Sequence, residues 1–276
     1  MTLIADIFIT IKPTKERIAI TAKSLKSFFE NTDSNLYRLT LCFDGKLDEE
    51  LSFIFANELA NLNVNLLDKV NYTLQSSENE GLGPTINRAV SHIKSINDWY
   101  SHATHGDPSK VSSLIVMLQD DIQYSKGWLK TLANMFMTNE HLYNLGFASG
   151  IECIEHKVKK VIVPDKIVLK DWIRATCMMA RREYWESMMP IPRFDPETGR
   201  IRAKPNNGMG SGVDWWLIRN HENSVSKTGK TCLVMPGLLQ HIGYNKSTWL
   251  NREMPESDLD KEKMKYNLSA NAVVID

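Results

Sequence analysis

The chain has 276 residues, 42% of them hydrophobic, with 33 basic and 33 acidic residues. That size and apolar share support a buried core and exclude disorder as the main state, while zero formal net charge excludes a global field toward nucleic acid or anionic membrane. The length favours one large α/β domain with an appended half. Cys42, Cys153, Cys177 and Cys232 form no CxxC pair, so neither a zinc ribbon nor a disulfide framework is expected. No run approaches 18 apolar residues, and the first residues show neither a basic leader nor a small-residue cleavage site. The expectation is a cytoplasmic protein with no stable membrane insertion.

In chain order, residues 5–11, 37–43, 63–67 and 113–118 are β-rich runs that predict strands. Between them, 14–30, 47–62 and 84–99 carry apolar residues at helical spacing; Ile18, Thr21, Ala22, Leu25, Phe28 and Phe29 form one such face. Strand and helix in alternation predict a mostly parallel sheet flanked by helices, since parallel neighbours need a crossover. Ligands of such sheets sit at the carboxyl ends of the strands. That rule selects Lys12 and Pro13, Asp44 and Gly45, and Gln119, Asp120 and Asp121.

Beyond Asp121 the alternation decays. Helices are expected at 125–137, 180–188 and 211–224, and strands at 145–149, 158–163 and 231–235. The stretch 190–212 is rich in proline, glycine and asparagine and reads as a functional loop, a natural lid over a bound ligand. The tail from residue 255 is either a short closing helix and strand or a mobile end.

The apolar run 114–118 delivers two adjacent carboxylates to a strand tip. An isolated Asp-Asp pair is more often a surface turn. At the carboxyl edge of a sheet, however, close carboxylates repel unless a cation neutralises them, and oxygen ligands select hard ions such as Mg²⁺ or Mn²⁺. The enzymatic reading requires that these aspartates face a cleft and are not locked in arginine pairs.

The strand ending Gln119-Asp120-Asp121, followed by Gly127-Trp128-Leu129, resembles the acidic metal motif of GT-A-fold, nucleotide-sugar-dependent glycosyltransferases, especially family-2-like and N-acetylglucosaminyltransferase-I-like members. The resemblance implies a GT-A, Rossmann-like α/β fold with an acceptor-side half. It places the metal on Asp121 and Asp120 toward the ribose or donor sugar; Gln119 stands where the family has its first acid. Residues 9–17, with Thr10, Lys12 and Arg17, resemble the opening nucleotide-binding loop. Asp44 lies at the second strand tip, which contacts base or ribose, and Gly81, Gly83 and Asn87 resemble the small-residue stretch before the third helix. In the second half, Gly210-Ser211-Gly212-Val213-Asp214-Trp215-Trp216 resembles the motif whose acid is the catalytic base of inverting members, with Trp215 or Trp216 placed to stack on a sugar or base. The segment 236–247, with His241, Gly243, Tyr244, Lys246 and Ser247, resembles the carboxyl-terminal histidine segment that completes the metal shell or touches the diphosphate.

The resemblance thus implies a Mn²⁺- or Mg²⁺-dependent transferase, inverting, using a nucleotide sugar of the uridine diphosphate type. Its acceptor would be a saccharide or a hydroxymethylated base of phage DNA. Residues 1–121 would bind the donor, 122–254 would form the acceptor-side half, and 255–276 the tail. Two alternatives stay open: a sugar-nucleotidyltransferase, disfavoured by the lack of a glycine-rich phosphate loop after the first strand, and a non-catalytic nucleotide-sugar-binding module. No GxxxxGK[ST], GxGxxG, GxSxG or HExxH motif occurs. A basic groove from Arg193, Arg200, Arg202 and Lys204 is less expected than a solvated loop.

Overall fold

The computed structural model describes residues 3–103, 108–151, 156–164, 166–193 and 212–242. Nine strands form one sheet in the spatial order β3-β2-β1-β4-β9-β6-β10-β8-β7. Its first part is β1 (Ala5–Ile11), β2 (Tyr37–Phe43), β3 (Tyr72–Gln75) and β4 (Leu114–Gln119), all parallel. The second part adds β6 (Leu145–Ser149), β7 (Val158–Val163), β8 (Ile167–Lys170), β9 (Cys177–Arg181) and β10 (Thr231–Val234). Here β6 and β10 run parallel, whereas β9 is antiparallel to both β4 and β6, and β8 is antiparallel to β10 and β7. A separate ribbon pairs β5 (Ile122–Tyr124) with β11 (Leu239–His241).

Both faces of the sheet are covered, so its central strands are apolar throughout and alternate by face. On β4, Leu114, Val116 and Leu118 join one core cluster and Ile115 and Met117 the other. The first cluster packs under α1 (Lys15–Asn31), α2 (Glu49–Asn61) and α4 (Trp128–Asn139) through residues such as Leu25, Phe28, Phe55 and Phe136. The second packs under α3 (Leu82–Ala103), α5 (Arg182–Ser187) and the short α6 (Val213–Trp215), which continues as a π turn over Trp216–Asn220. One polar network interrupts the second face. Asp6 of β1 accepts from Nε and Nη2 of Arg38 on β2 at 2.6 and 2.8 Å, from Asn97 at 2.7 Å and from the Ser112 hydroxyl, so its charge is compensated where it is buried.

Three expectations need correction. The third strand is Tyr72–Gln75, not 63–67. Asn63 takes a positive φ of 57° at the end of α2, Val64 donates to Leu59 O, and Leu67 is 88% exposed, so that run is the turn leaving the helix. The region 180–188 opens as strand β9 before becoming α5, because Met178, Met179 and Ala180 are fully buried between β4 and β6. The helix expected over 211–224 is confined to Val213–Asn220, and β8 lies in a stretch assigned no element from sequence. The tail from 255 and residues 194–211 of the expected lid lie outside the described residues. Cys42, Cys177 and Cys232 are free and buried, and Cys153 also lies outside them.

Candidate active site

The parallel strands β1, β2 and β4 end at one edge. At the tip of β1, the Thr10 hydroxyl donates to Leu118 O at 3.3 Å and so ties β1 to β4. Lys12 follows half-buried, and its side chain makes no hydrogen bond or ion pair among the described residues. At the tip of β2, Asp44 Oδ1 accepts from the backbone N–H groups of Glu80 and Gly81 at 2.8 and 3.0 Å. Asp44 thus shapes the 79–81 loop before α3, where Gly81 takes φ +89°. Gly83 is buried in the first turn of α3. Asn87 is turned to another partner: its amide donates to Ile191 O and accepts from Ile191 N, both at 2.7 Å. It pins the beginning of the 190–212 segment.

Asp120 and Asp121 are both 3% exposed, and Arg17, on the first turn of α1, lies between them at 6%. Arg17 donates through Nη2 to Asp120 Oδ1 and through Nε to Asp120 Oδ2 at 3.3 Å, and Nη2 also reaches Asp121 Oδ2 at 2.9 Å. The Thr21 hydroxyl, one helical turn on, donates to Asp120 Oδ2 at 2.9 Å. The cation that neutralises the pair here is therefore a guanidinium of the protein, so the expectation that neither aspartate is held in an arginine pair is not met, and only Asp121 Oδ1 escapes the pairing. Asp120 and Arg17, expected to face the donor, are held against each other instead. Burial pushes the Asp120 carboxyl up, and Arg17 opposes that only in part. Burial acts on Asp121 too, but His241 and then Arg17 outweigh it and hold its carboxyl below the ordinary range.

Asp121 is less completely engaged than Asp120. Its Oδ2 meets Arg17 and, at 3.1 Å, His241 Nε2, whereas its buried Oδ1 has no hydrogen-bond partner among the described residues. His241 arrives through the small ribbon: it pairs with Ile122 in register, and Ile242 N donates to Asp121 O at 2.8 Å. Ser24 of α1 supports the same ribbon by accepting from Ile122 N at 3.1 Å. An orphaned carboxylate oxygen beside an imidazole fits two ligands of a divalent ion. Asp120 does not fit, since both its oxygens are occupied. Among the described residues no cluster of three metal-ligating side chains occurs, so further ligands would be phosphate oxygens and water.

Asp214 sits in the first turn of α6, half-buried, with Oδ2 accepting from Trp172 Nε1 at 3.4 Å. Burial raises its carboxyl, with Arg174 pulling the other way. Trp172 belongs to the loop that leads from the end of β8 to the start of β9, whose far end meets the β4 tip where Gln119 N donates to Thr176 O at 3.0 Å. Trp216 packs against the core and stands edge-on to His221 at 5.6 Å; Trp215, also half-buried, takes no part in either core cluster. Thr21 and Trp172 were missed by sequence reasoning. Thr21 stood one turn from Arg17 on a shared helix face, which was a usable signal; Trp172, in an irregular loop, offered none.

No protein-family model matches the chain, and no curated protein is similar to it in sequence. Its architecture is nevertheless shared with solved structures. A crystal structure of GalNAc-T7 with UDP, GalNAc and Mn²⁺ superposes with a TM-score of 0.50 at 12% identity, over 95% of this chain and 48% of that one. The chain has the GT-A glycosyltransferase fold. S. aureus TarS 1–349 aligns with a TM-score of 0.46 at 11% identity, over 84% of this chain and 58% of that one. The chain thus spans about half the length of these neighbours. No helix among the described residues is long and apolar enough to cross a membrane.

Proposed function

We propose that the chain is a metal-dependent glycosyltransferase that moves a sugar from a uridine diphosphate donor to an acceptor hydroxyl with inversion. The observation that carries this reading is the convergence of Asp121, with its unpartnered Oδ1, and His241 at the carboxyl edge of a GT-A sheet. A fold neighbour bound to UDP and Mn²⁺ supports the donor and the ion. In this reading Asp121 and His241 hold Mn²⁺ or Mg²⁺, which would offset the charge developing on the departing diphosphate. Lys12 adds positive charge beside that diphosphate. Asp44 offers Oδ2 to ribose or base, because its Oδ1 already holds the 79–81 backbone. Asp120 acts as a positioning residue: by gripping Arg17 it fixes the guanidinium that orients Asp121 Oδ2. Asp214 accepts the proton of the acceptor hydroxyl as that oxygen attacks the anomeric carbon, and Trp172 holds its carboxylate in place. Trp215 stacks on the acceptor.

The test is release of uridine diphosphate from a panel of UDP-sugars with Mn²⁺. Asp121→Asn is expected to lower metal-dependent turnover by at least about 100-fold, and Asp214→Asn to stop transfer while UDP binding persists. Full transfer by either variant removes the corresponding role. The Arg17 pairing favours one second reading, a binding module that neutralises its own carboxylates and keeps the nucleotide pocket without turnover. UDP binding by calorimetry with no release from any sugar would select it.

A further inference from the structure

Away from the Asp121 corner, on the acceptor-side half, lies an open cavity of about 500 Å³ whose lining includes Lys159, Asp171, Arg219, Lys227, Gly229 and Lys230. In a chain of zero net charge this is a local concentration of four cations against one carboxylate. Lys159 is matched by Asp171 at 2.5 Å. Arg219, Lys227 and Lys230 make no ion pair among the described residues, so about three positive charges are left over. Two of these cations are held by uncharged partners: Arg219 lies over the Trp172 ring at 4.7 Å, and Lys230 over the Tyr184 ring at 5.2 Å, with Asn144 Oδ1 at 3.4 Å. Aromatic faces and an amide carbonyl orient a cation without cancelling its charge, which leaves the set available to an external anion. The cavity lining includes neither Trp172 nor Asp214, but one side chain joins Arg219 to the candidate base. Trp172, which carries Arg219 on its face, is the residue whose indole N–H holds Asp214.

We propose that this cavity binds a phosphate group of the acceptor and thereby delivers a neighbouring hydroxyl to Asp214. The part concerning Asp214 rests on the transferase reading; binding of phosphate does not. A guanidinium and two ammonium groups around an open concave wall match the oxygens of a phosphate, and the volume suits one small-molecule-sized group. The phosphate could belong to a small ester or to a phosphodiester polymer, and both share the recognition chemistry.

The probes are inorganic phosphate, glycerol phosphate and a short thymidine oligonucleotide, titrated calorimetrically into the full chain with saturating UDP and Mn²⁺ so that any donor pocket is filled. Lys227, exposed and outside the catalytic set, is changed to Glu, and Lys227→Gln serves as a milder variant if Lys227→Glu does not fold, judged by the thermal transition. Phosphate binding is expected in the parent chain and should weaken roughly tenfold in Lys227→Glu. An oligonucleotide that binds far more tightly than glycerol phosphate, with steep salt dependence, identifies a polymer; equal or weaker binding identifies a small ester. No phosphate binding by the folded parent, or binding that neither Lys227 variant alters, overturns the proposal. Absence of UDP binding with the phosphate site intact overturns the donor reading and leaves the anion site standing.

Discussion

Asp214 is the residue whose environment makes the sharpest statement about pH. Burial raises its carboxyl, and the Trp172 indole and Arg174 oppose this without cancelling it. A base must be ionised, and the ionised fraction falls as pH drops through a folded-state value that lies above the ordinary carboxylate range of about 3.9. The acid limb of kcat is therefore expected above pH ~4, measured as UDP release against pH. A limb at or below that pH would mean that Asp214 is not the titrating base. The sign for stability is the reverse: protonated Asp214 favours the folded state, so its contribution is complete below the unfolded pKa and is lost as pH rises through the folded one. Both strand-tip aspartates were visible in sequence, as was the edge they occupy. Their partner was not, because Arg17 is 103 residues away and only the packing of α1 against the β4 tip brings it there.

At the scale of elements, the position of the His241 imidazole, proposed as a metal ligand, depends on how closely β11 approaches the end of β6. Leu239 N donates to Gly150 O at 3.0 Å, and a Cβ on Gly150 would lie 2.8 Å from Leu239 Cγ and 3.2 Å from Leu238 Cβ. Neither atom is the free end of a flexible side chain. Gly150→Ala is expected to displace β11, costing about 1–3 kcal/mol of stability by urea denaturation and weakening Mn²⁺-dependent UDP binding because His241 moves with the ribbon. Parent-like stability and binding would show that β11 has slack the structure does not suggest. The same scale explains where element reading failed. Asn-Val-Asn-Leu-Leu at 63–67 has the composition of a short strand but leaves the α2 end through a left-handed Asn63, whereas Cys-Met-Met-Ala-Arg has little strand character yet is forced into β9 between two strands. Where composition is ambiguous, the neighbours a segment is buried against decide whether it becomes a strand, and local sequence does not record them.

For the whole molecule, ligand linkage gives a test independent of turnover. Binding of UDP with Mn²⁺ to the folded state alone, at about 100 times Kd, adds ~2.7 kcal/mol. For a chain of this size that is a rise in Tm of several degrees by scanning fluorimetry. The rise is expected to shrink when EDTA replaces Mn²⁺, and in Asp121→Asn. An equal rise with and without the ion would remove the metal from the reading.

The amino-acid sequence by itself determined the α/β class and the tips of β1, β2 and β4 at one edge of the sheet, and it singled out Asp44, Asp121, Asp214 and His241 as candidates for the chemistry proposed here. It did so because apolar runs and helical periodicity are local properties, and the residues after each run must emerge at the same edge of a parallel sheet. Only the tertiary structure decided that Arg17 neutralises the aspartate pair, that Asn87 anchors Ile191, that Trp172 links Asp214 to Arg219, and that Lys159 joins the cations of residues 219–230 in one cavity. Each of those contacts joins residues far apart in the chain, and their pairing follows from how helices and loops pack on the sheet rather than from any pattern within one segment.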